Sequence, residues 1–303
     1  MTKILFYGKC DMLEFTEVAE RAARAGGQVL LDWIGRFQVR EKGPSDLVTE
    51  ADLASQQAIR QTILASFPQH DVLGEEDKEI LKRTSAYRWI VDPLDGTTNY
   101  VHRVPHYCVS IGLEHEGELI ASCIYDPVSR ECYTAAAGHG AWLNGERIYV
   151  SKETTLAKSL VVVGFPASVK PESREITDLN KLLLASQAIR RTGSAALNLC
   201  YVACGRFDAY WARETKAWDV AGGALLIQEA GGIITNFAGG PISLEKPRYI
   251  AAATPELHRE LLNIVRDEAL ASNLFGVVWN YEVPSPSTVT ARFLPLSTCF
   301  LLY

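Results

Sequence analysis

Disulfide scaffolds and zinc modules are excluded first: the seven cysteines are an odd number at irregular spacing, and no His or Cys recurs at metal-ligand intervals. Cys200 and Cys204 fall on one expected helix and read as core. No apolar run approaches the roughly 18 residues of a membrane span, and the apolar patch after Lys3 is too short for a secretory leader. A cytoplasmic location is the expectation, since that compartment keeps thiols reduced. Positive charge is also short: 30 Lys and Arg against 36 Asp and Glu leave a net charge of -6 with no basic patch, so neither nucleic acid nor a membrane surface is an expected partner. What the 303 residues do have is 48% hydrophobic content beside 22% charged, enough for a substantial core in one large domain or two closely packed ones.

The most informative stretch is Trp89-Ile90-Val91-Asp92-Pro93-Leu94-Asp95-Gly96-Thr97-Thr98-Asn99, where an apolar strand drives into two carboxylates, a glycine and two hydroxyls. Asp92 and Asp95 stand three apart across a proline, so the pattern predicts that they share no regular strand or helix yet converge on one point. Convergent carboxylates repel unless a cation lies between them. Gly96 and Thr97 then open an expected helix whose free N–H groups suit a phosphate. The same run also reads as a strand followed by a turn, because Asp-Gly and Asp-Pro both favour turns.

Two further acidic segments have matching chemistry. Gly74-Glu75-Glu76-Asp77 reads either as a solvated acidic turn or as a ligand cluster. Lys216 to Gly232 reads as a helix with Asp219 at its N-cap and glycine after its end.

Taken together and in this order, Gly74-Glu75-Glu76, Asp92 to Asn99, and Trp218-Asp219-Val220-Ala221-Gly222 with Glu229-Ala230-Gly231-Gly232 resemble the inositol monophosphatase family of magnesium-dependent, lithium-sensitive phosphatases. The resemblance runs from about Met12 to about Ala271. It implies that Glu75, Asp92, Thr97 and the Leu94 carbonyl hold one Mg²⁺, that Asp92, Asp95 and Asp219 hold a second, and that a weaker third leans on Glu75. Hard oxygen ligands without His or Cys are what Mg²⁺ prefers. The implied reaction is direct attack of an activated water on a small phosphomonoester, with no phospho-enzyme.

Ser45-Asp46-Leu47-Val48-Thr49-Glu50-Ala51-Asp52 resembles the family segment whose carboxylate, here Asp52, pairs with Thr97 beside Glu75 in the catalytic group. On its own residues, Thr49 is a helix N-cap and Asp52 sits in a capping-box position, which a purely structural role also explains. Asp95, Gly96 and Thr97, with Gly193, Ser194 and Ala195 of the Arg190 to Ala196 segment, match the substrate-binding positions; glycine plus serine is equally an ordinary helix start. Phe165 and Pro166 lie on the adjacent loop. Lys42 matches a loop lysine near the metals, and otherwise reads as a surface lysine; His102 and Arg103 only follow the central motif.

One position departs from the pattern. Ala212 stands where many family members place a glutamate against the inositol ring, and Glu214 follows two positions later. Inositol monophosphate is the leading substrate, with histidinol phosphate, fructose 1,6-bisphosphate and a 3′-phosphoadenosine nucleotide as alternatives. A regulatory relative without turnover is the reading from another class. The resemblance also implies a homodimer.

Periodicity and turn residues give helices at about 12–35 and 50–67, then strands at 107–114, 118–125 and 131–136 with an Asn144-Gly145 hairpin turn. After residue 150 the elements alternate: strand 159–165, helix 173–186, strand 188–191, helix 195–204, strand 207–211, helix 220–230, strands 232–236 and 248–253, and helix 255–270 capped by Thr254. The expected class is α+β, and the resemblance implies the layered α-β-α-β-α sandwich of the inositol monophosphatase and fructose-1,6-bisphosphatase type. Residues 12–150 form an expected N-terminal half with most ligand motifs, and 151–271 a C-terminal half with Asp219 and the substrate loops. Residues 1–11 read as an extension, and 274–303 as an atypical tail, apolar with Pro, Ser and Thr and no helical period.

Overall fold

A computed structural model describes residues 9–43, 46–77 and 83–266. The expected extension up to residue 8 and the tail 274–303 lie outside the described residues, and the last expected helix, 255–270, already ends at Val265 with Arg266 as its C-cap. Helix α1 (Lys9–Trp33) buries Phe15, Val18, Ala19, Ala22, Ala23 and Leu30. Their spacing of three and four forms one apolar stripe. Helix α2 (Glu50–Ser66) adds Ala51, Ile59 and Ile63 to the same cluster. It starts as expected: Thr49 Oγ1 accepts the Ala51 N–H at 3.1 Å, while Asp52 Oδ2 accepts the Thr49 N–H at 2.8 Å. Between the helices, strands β1 (Val39–Gly43) and β2 (Asp46–Thr49) pair antiparallel where the sequence suggested only a loop. The mostly exposed and charged residues of β1 carry no two-residue apolar period that would betray a strand.

Helices α1 and α2 cover one face of a seven-stranded sheet whose spatial order follows the chain: β3 (Asp71–Gly74), β4 (Tyr87–Asp95), β5 (Cys108–His115), β6 (Glu118–Asp126), β7 (Glu131–Ala136), β8 (Gly140–Leu143) and β9 (Glu146–Arg147). β3 and β4 are parallel and every later pair is antiparallel, as the short connections require. A second sheet has the order β11-β10-β12-β14-β13, from β10 (Leu160–Gly164), β11 (Ala188–Arg190), β12 (Ala209–Ala212), β13 (Ile233–Thr235) and β14 (Tyr249–Ala252).

The layer between the sheets is made by α5 (Ala195–Ala203) and α6 (Ala217–Glu229), whose residues share one cluster with Ile124 and Tyr133 of the first sheet and Tyr210 and Ala251 of the second. Both helices are apolar nearly all round, as a helix packed on two faces must be. The far face of the second sheet is closed by Leu182 of α4 (Arg174–Ala185) and by Leu257, Leu261 and Val265 of α7 (Pro255–Val265), which Thr254 caps. The result is the expected α-β-α-β-α layering.

Two local expectations are corrected. Asp92 and Asp95 do share one strand, β4, but its register against β5 is irregular between them. Pro93 cannot donate to a ladder, so the strand tolerates it at this irregularity, which turns both carboxylates away from simple alternation. Asp219 is not the N-cap of α6 either. Lys216 is, and Asp219 stands in the first turn, accepting the Lys216 N–H at 2.7 Å.

The packing of α6 on β5 admits no side chain at Gly112, where a Cβ would lie 2.9 Å from both the carbonyl carbon and Cβ of Ala221. Gly112→Ala is expected to destabilise the chain by about 1–3 kcal/mol. A lower urea midpoint at an unchanged slope is the expected reading, and an unchanged midpoint would show that α6 yields without cost.

Candidate active site

The site lies where the C-terminal end of β4 meets the N-termini of α5 and α6. Asp95, Gly96, Thr97, Gly193, Ser194, Ala195 and Asp219 line one open cavity of about 600 Å³, so residues that the sequence suggested for substrate and metal, from three distant stretches of the chain, come together. Gly96 has φ of +95°, a conformation that turns the strand sharply into α3 (Thr97–Val101). That helix has only five residues, so its local N–H groups, rather than a long dipole, are what it offers an anion.

Asp92, Leu94 and Asp52 form the buried wall behind this cavity. Asp92 accepts the Leu94 N–H through Oδ1 at 3.0 Å, and Oδ2 has no described hydrogen bond. Thr97 Oγ1 lies 3.1 Å from the Leu94 carbonyl and 3.4 Å from Asp52 Oδ1. Asp52 thus does both things the sequence left open: it caps α2 through Oδ2 and faces Thr97 through Oδ1.

Asp95 is held more tightly than the sequence suggested. Its carboxylate accepts the Ser194 hydroxyl, the Ala195 N–H at 3.1 Å and the Ala196 N–H at 2.8 Å. Ser194 is also the N-cap of α5, accepting the Leu197 N–H at 3.3 Å. The helix-start reading of this serine holds, and the same hydroxyl ties Asp95 to α5. Asn99 Nδ2 adds a second tie across the cleft, donating to the carbonyls of His106 and Thr192 at 2.8 and 2.9 Å.

The electrostatics are those of crowded carboxylates. Burial, followed by Glu75, Asp95 and Asp219, pushes Asp92 well above the usual carboxylate range. Burial also raises Asp95, against the pull of its three donors. Burial and then Asp95 bring Asp219 up to about 8, and burial brings Asp52 up to about 6. Glu75 does not line the cavity; Lys42 reaches Glu75 at 2.8 Å and Glu76 at 2.6 Å. Burial works against the Lys42 charge, but the two glutamates outweigh it and raise its pKa. Burial still brings Glu76 up to about 7.

Among the described residues, no group of three or more His, Cys, Asp or Glu forms a closed ligand set. Asp92, Asp95 and Asp219 each accept backbone N–H groups of their own. The donor chemistry nevertheless fits a hard divalent cation: all the groups are oxygens, and free oxygen atoms remain on Asp92 and Asp219.

The remaining candidates separate clearly. Phe165 and Pro166 line the cavity, with the Arg191 guanidinium 5.4 Å from the Phe165 ring centre. His102 and Arg103 do not line it. Ala212 is fully buried in β12, whereas Glu214 lines the cavity. Arg213 turns away, with Nε 2.7 Å from Asp178 on α4. Sequence reasoning missed Asn99 and Arg191; only the position of Asn99 at the end of the central motif hinted at the first.

The profile described as the inositol monophosphatase family matches residues 11–270. An inositol-1-monophosphatase of Rhizobium meliloti is 41% identical over 225 residues, covering 73% of this chain and 85% of that protein. A Nus factor SuhB of Pseudomonas aeruginosa is 40% identical over 251 residues, covering 80% and 93%. The crystal structure of the extragenic suppressor protein suhB from Bartonella henselae superposes with a TM-score of 0.79 at 36% identity, over 83% of this chain and 98% of that one.

The raised carboxylates make stability depend on pH in a defined direction. The folded chain holds the Asp52 and Asp219 protons more tightly than the unfolded chain, so their contribution is complete below 3.8 and is lost as pH rises through about 6 and about 8. In chelator, Asp219→Asn is therefore expected to melt above the wild type at pH near 9 and to converge with it only below about pH 4. Mg²⁺ is expected to raise the wild-type melting temperature more at the alkaline end. A melting difference that is flat with pH, or a shift with Mg²⁺ that is larger in acid, would contradict this electrostatic picture.

Proposed function

The chain belongs to the inositol monophosphatase family, and on that premise we propose that it is a Mg²⁺-dependent phosphatase of a small phosphomonoester, inositol monophosphate first. The observation that carries this reading is the convergence of Asp95, Thr97 and Asp219 on one cavity backed by Asp92 and Asp52. Glu75, Asp92, Thr97 and the Leu94 carbonyl would hold one Mg²⁺; Asp92, Asp95 and Asp219 would hold a second, and a weaker third would lean on Glu75. The chemistry that magnesium supplies when bound is a lowered pKa of water and neutralised charge on the phosphoryl and leaving oxygens.

The chain's own residues do the rest. Gly96 and Thr97 line the cavity, and their backbone N–H groups would serve the phosphate. Thr97 orients the attacking water through its hydroxyl, and Asp52, brought by burial to a pKa of about 6, takes the proton that Thr97 relays. Ser194 and the first turn of α5 fix Asp95 so that one carboxylate serves both the metal and the substrate hydroxyl. Glu214 occupies the cavity wall that Ala212 leaves, and it is the group available to a ring hydroxyl. Lithium sensitivity, a cytoplasmic location and homodimer assembly belong to the same reading.

A second reading has one specific support: the relative from Pseudomonas aeruginosa is named as a Nus factor. A regulatory role would keep the fold and use a surface instead of turnover. The acidic balance and the preserved site carboxylates favour catalysis.

The cleanest test is Asp219→Asn. Asp95→Asn would place an amide N–H₂ against the three donors of Asp95 and disturb α5 as well as the site. Asp219 has one oxygen on the Lys216 N–H and one without a described partner, so Asn can keep the cap. Phosphate release from inositol 1-phosphate with Mg²⁺ is expected to fall by roughly 100-fold or more with circular dichroism unchanged. Wild-type protein that releases no phosphate from any of the candidate phosphomonoesters with Mg²⁺ present would instead favour the regulatory reading.

Substrate choice has its own test. Glu214→Ala is expected to lower kcat/KM for inositol 1-phosphate relative to glycerol 2-phosphate by about 1–3 kcal/mol of discrimination. An unchanged ratio would remove Glu214 from substrate recognition.

A further inference from the structure

Away from the cleft, the first sheet holds a pair of thiols that the proposed reaction does not use. Cys123 lies on β6 and Cys132 on β7, with Cys123 opposite Thr134 and Tyr125 opposite Cys132. The two cysteines are therefore diagonal neighbours on the same sheet face. Their sulfurs are 3.6 Å apart, within the cluster that α1 covers. Neither is equivalent to the other in access. Cys123 is fully buried, whereas Cys132, 2% exposed, lines a second cavity of about 490 Å³.

That cavity shares no lining residue with the catalytic cleft. Its walls are Glu20 and Arg24 of α1, Arg130 of the β6–β7 turn, Thr134, and Asn144 with Gly145 of the β8–β9 turn. Arg24 stacks 4.8 Å above the Tyr125 ring and pairs with Glu20 at 2.8 Å. Arg130 has no described ion-pair partner. A polar, open cavity ending on one sulfur, with a second sulfur immediately behind it, has the arrangement of an attacking thiol and a resolving thiol.

We propose that Cys123 and Cys132 form a peroxide-reactive dithiol, in which Cys132 is oxidised from the cavity and Cys123 resolves it to a disulfide. In the first step the Cys132 sulfur attacks a hydroperoxide oxygen: the S–O bond forms, the O–O bond breaks, and the alcohol or water leaves with the thiol proton. In the second, the Cys123 sulfur attacks the Cys132 sulfur: the S–S bond forms, the S–O bond breaks, and water leaves with the Cys123 proton. Two thiols and one hydroperoxide give a disulfide, an alcohol (water from hydrogen peroxide) and water. The sulfurs must approach by about 1.5 Å to reach bonding distance, which side-chain rotation on adjacent strands can supply. The open cavity leads a small hydroperoxide to Cys132, which is only 2% exposed, and half-buried Cys204 is the more open target for bulky thiol reagents.

The test uses the reduced full-length chain and hydrogen peroxide as the probe. After treatment and alkylation under denaturing conditions, trypsin separates the two thiols, because Val104–Arg130 carries Cys123 and Glu131–Arg147 carries Cys132. Expected are these two peptides joined by a disulfide that fragmentation places on Cys123 and not Cys108, reversal by dithiothreitol, and prior reaction of a bulky maleimide with Cys204 but not Cys132. In Cys123→Ser the sulfenic acid is expected to persist on Cys132 and to be trapped by dimedone; in Cys132→Ser neither the adduct nor the disulfide should form. Peroxide that oxidises Cys204 while leaving positions 123 and 132 as free thiols in the wild type would overturn the proposal. So would a dimedone adduct on Cys123 in place of Cys132. The wild-type crosslink stands as the readout even if a serine disturbs packing.

Discussion

Several carboxylates are brought within mutual repulsion at one end of the first sheet, and much of the architecture follows from holding them there. Asp92 and Asp95 are buried on one strand, Asp219 comes in on α6, and Glu75 follows the parallel strand β3. Such a cluster raises its own proton affinity. It persists because each member has a donor supplied by a different element: the Leu94 N–H, the first turn of α5, the Lys216 N–H and the Lys42 ammonium.

That requirement explains why the two halves of the chain form one packed body. Helices α5 and α6 are apolar on almost every side and fill the space between the sheets, with their N-terminal turns facing the cleft. The close approach of α6 to Gly112 sets the depth of Asp219. The Asn99 bridge to Thr192 then fixes the loop before α5, so that Gly193 and Ser194 face the strand that carries Asp95. Packing in the core and geometry in the site are thus the same contacts viewed from two ends.

Within the proposed phosphatase reading, the cleft divides its labour by charge. The Asp95 and Asp219 end suits magnesium and phosphate, while Phe165, Arg191 and Glu214 make a wall of different character for the rest of the substrate. Glu214, and not a residue at position 212, reaches that wall because Ala212 is the last residue of β12 and is buried in the second sheet. In that reading Glu214 would take the place of the hydrogen-bonding carboxylate that is missing at Ala212.

Local chemistry in the sequence was sufficient for the helices, for the meander and for the acidic motifs, because apolar periods, caps and turn dipeptides act over a few residues. Thr49, Thr254 and Asn144-Gly145 each specify their own neighbourhood in this way. The motif order also identified the family, since three short patterns in sequence need no folded structure to be recognised. The chain could not reveal by itself that β4 continues through Pro93, that charged β1 pairs with β2, or that Asp219 lies within the first turn of α6 instead of capping it. Nor could it reveal that Ser194 clamps Asp95, that Asp52 divides its two oxygens between a cap and Thr97, or that two cysteines meet across adjacent strands. These depend on sheet register and on helix ends meeting strands far away in the chain, and that placement is decided by the packing of the whole core, where no local preference carries the information.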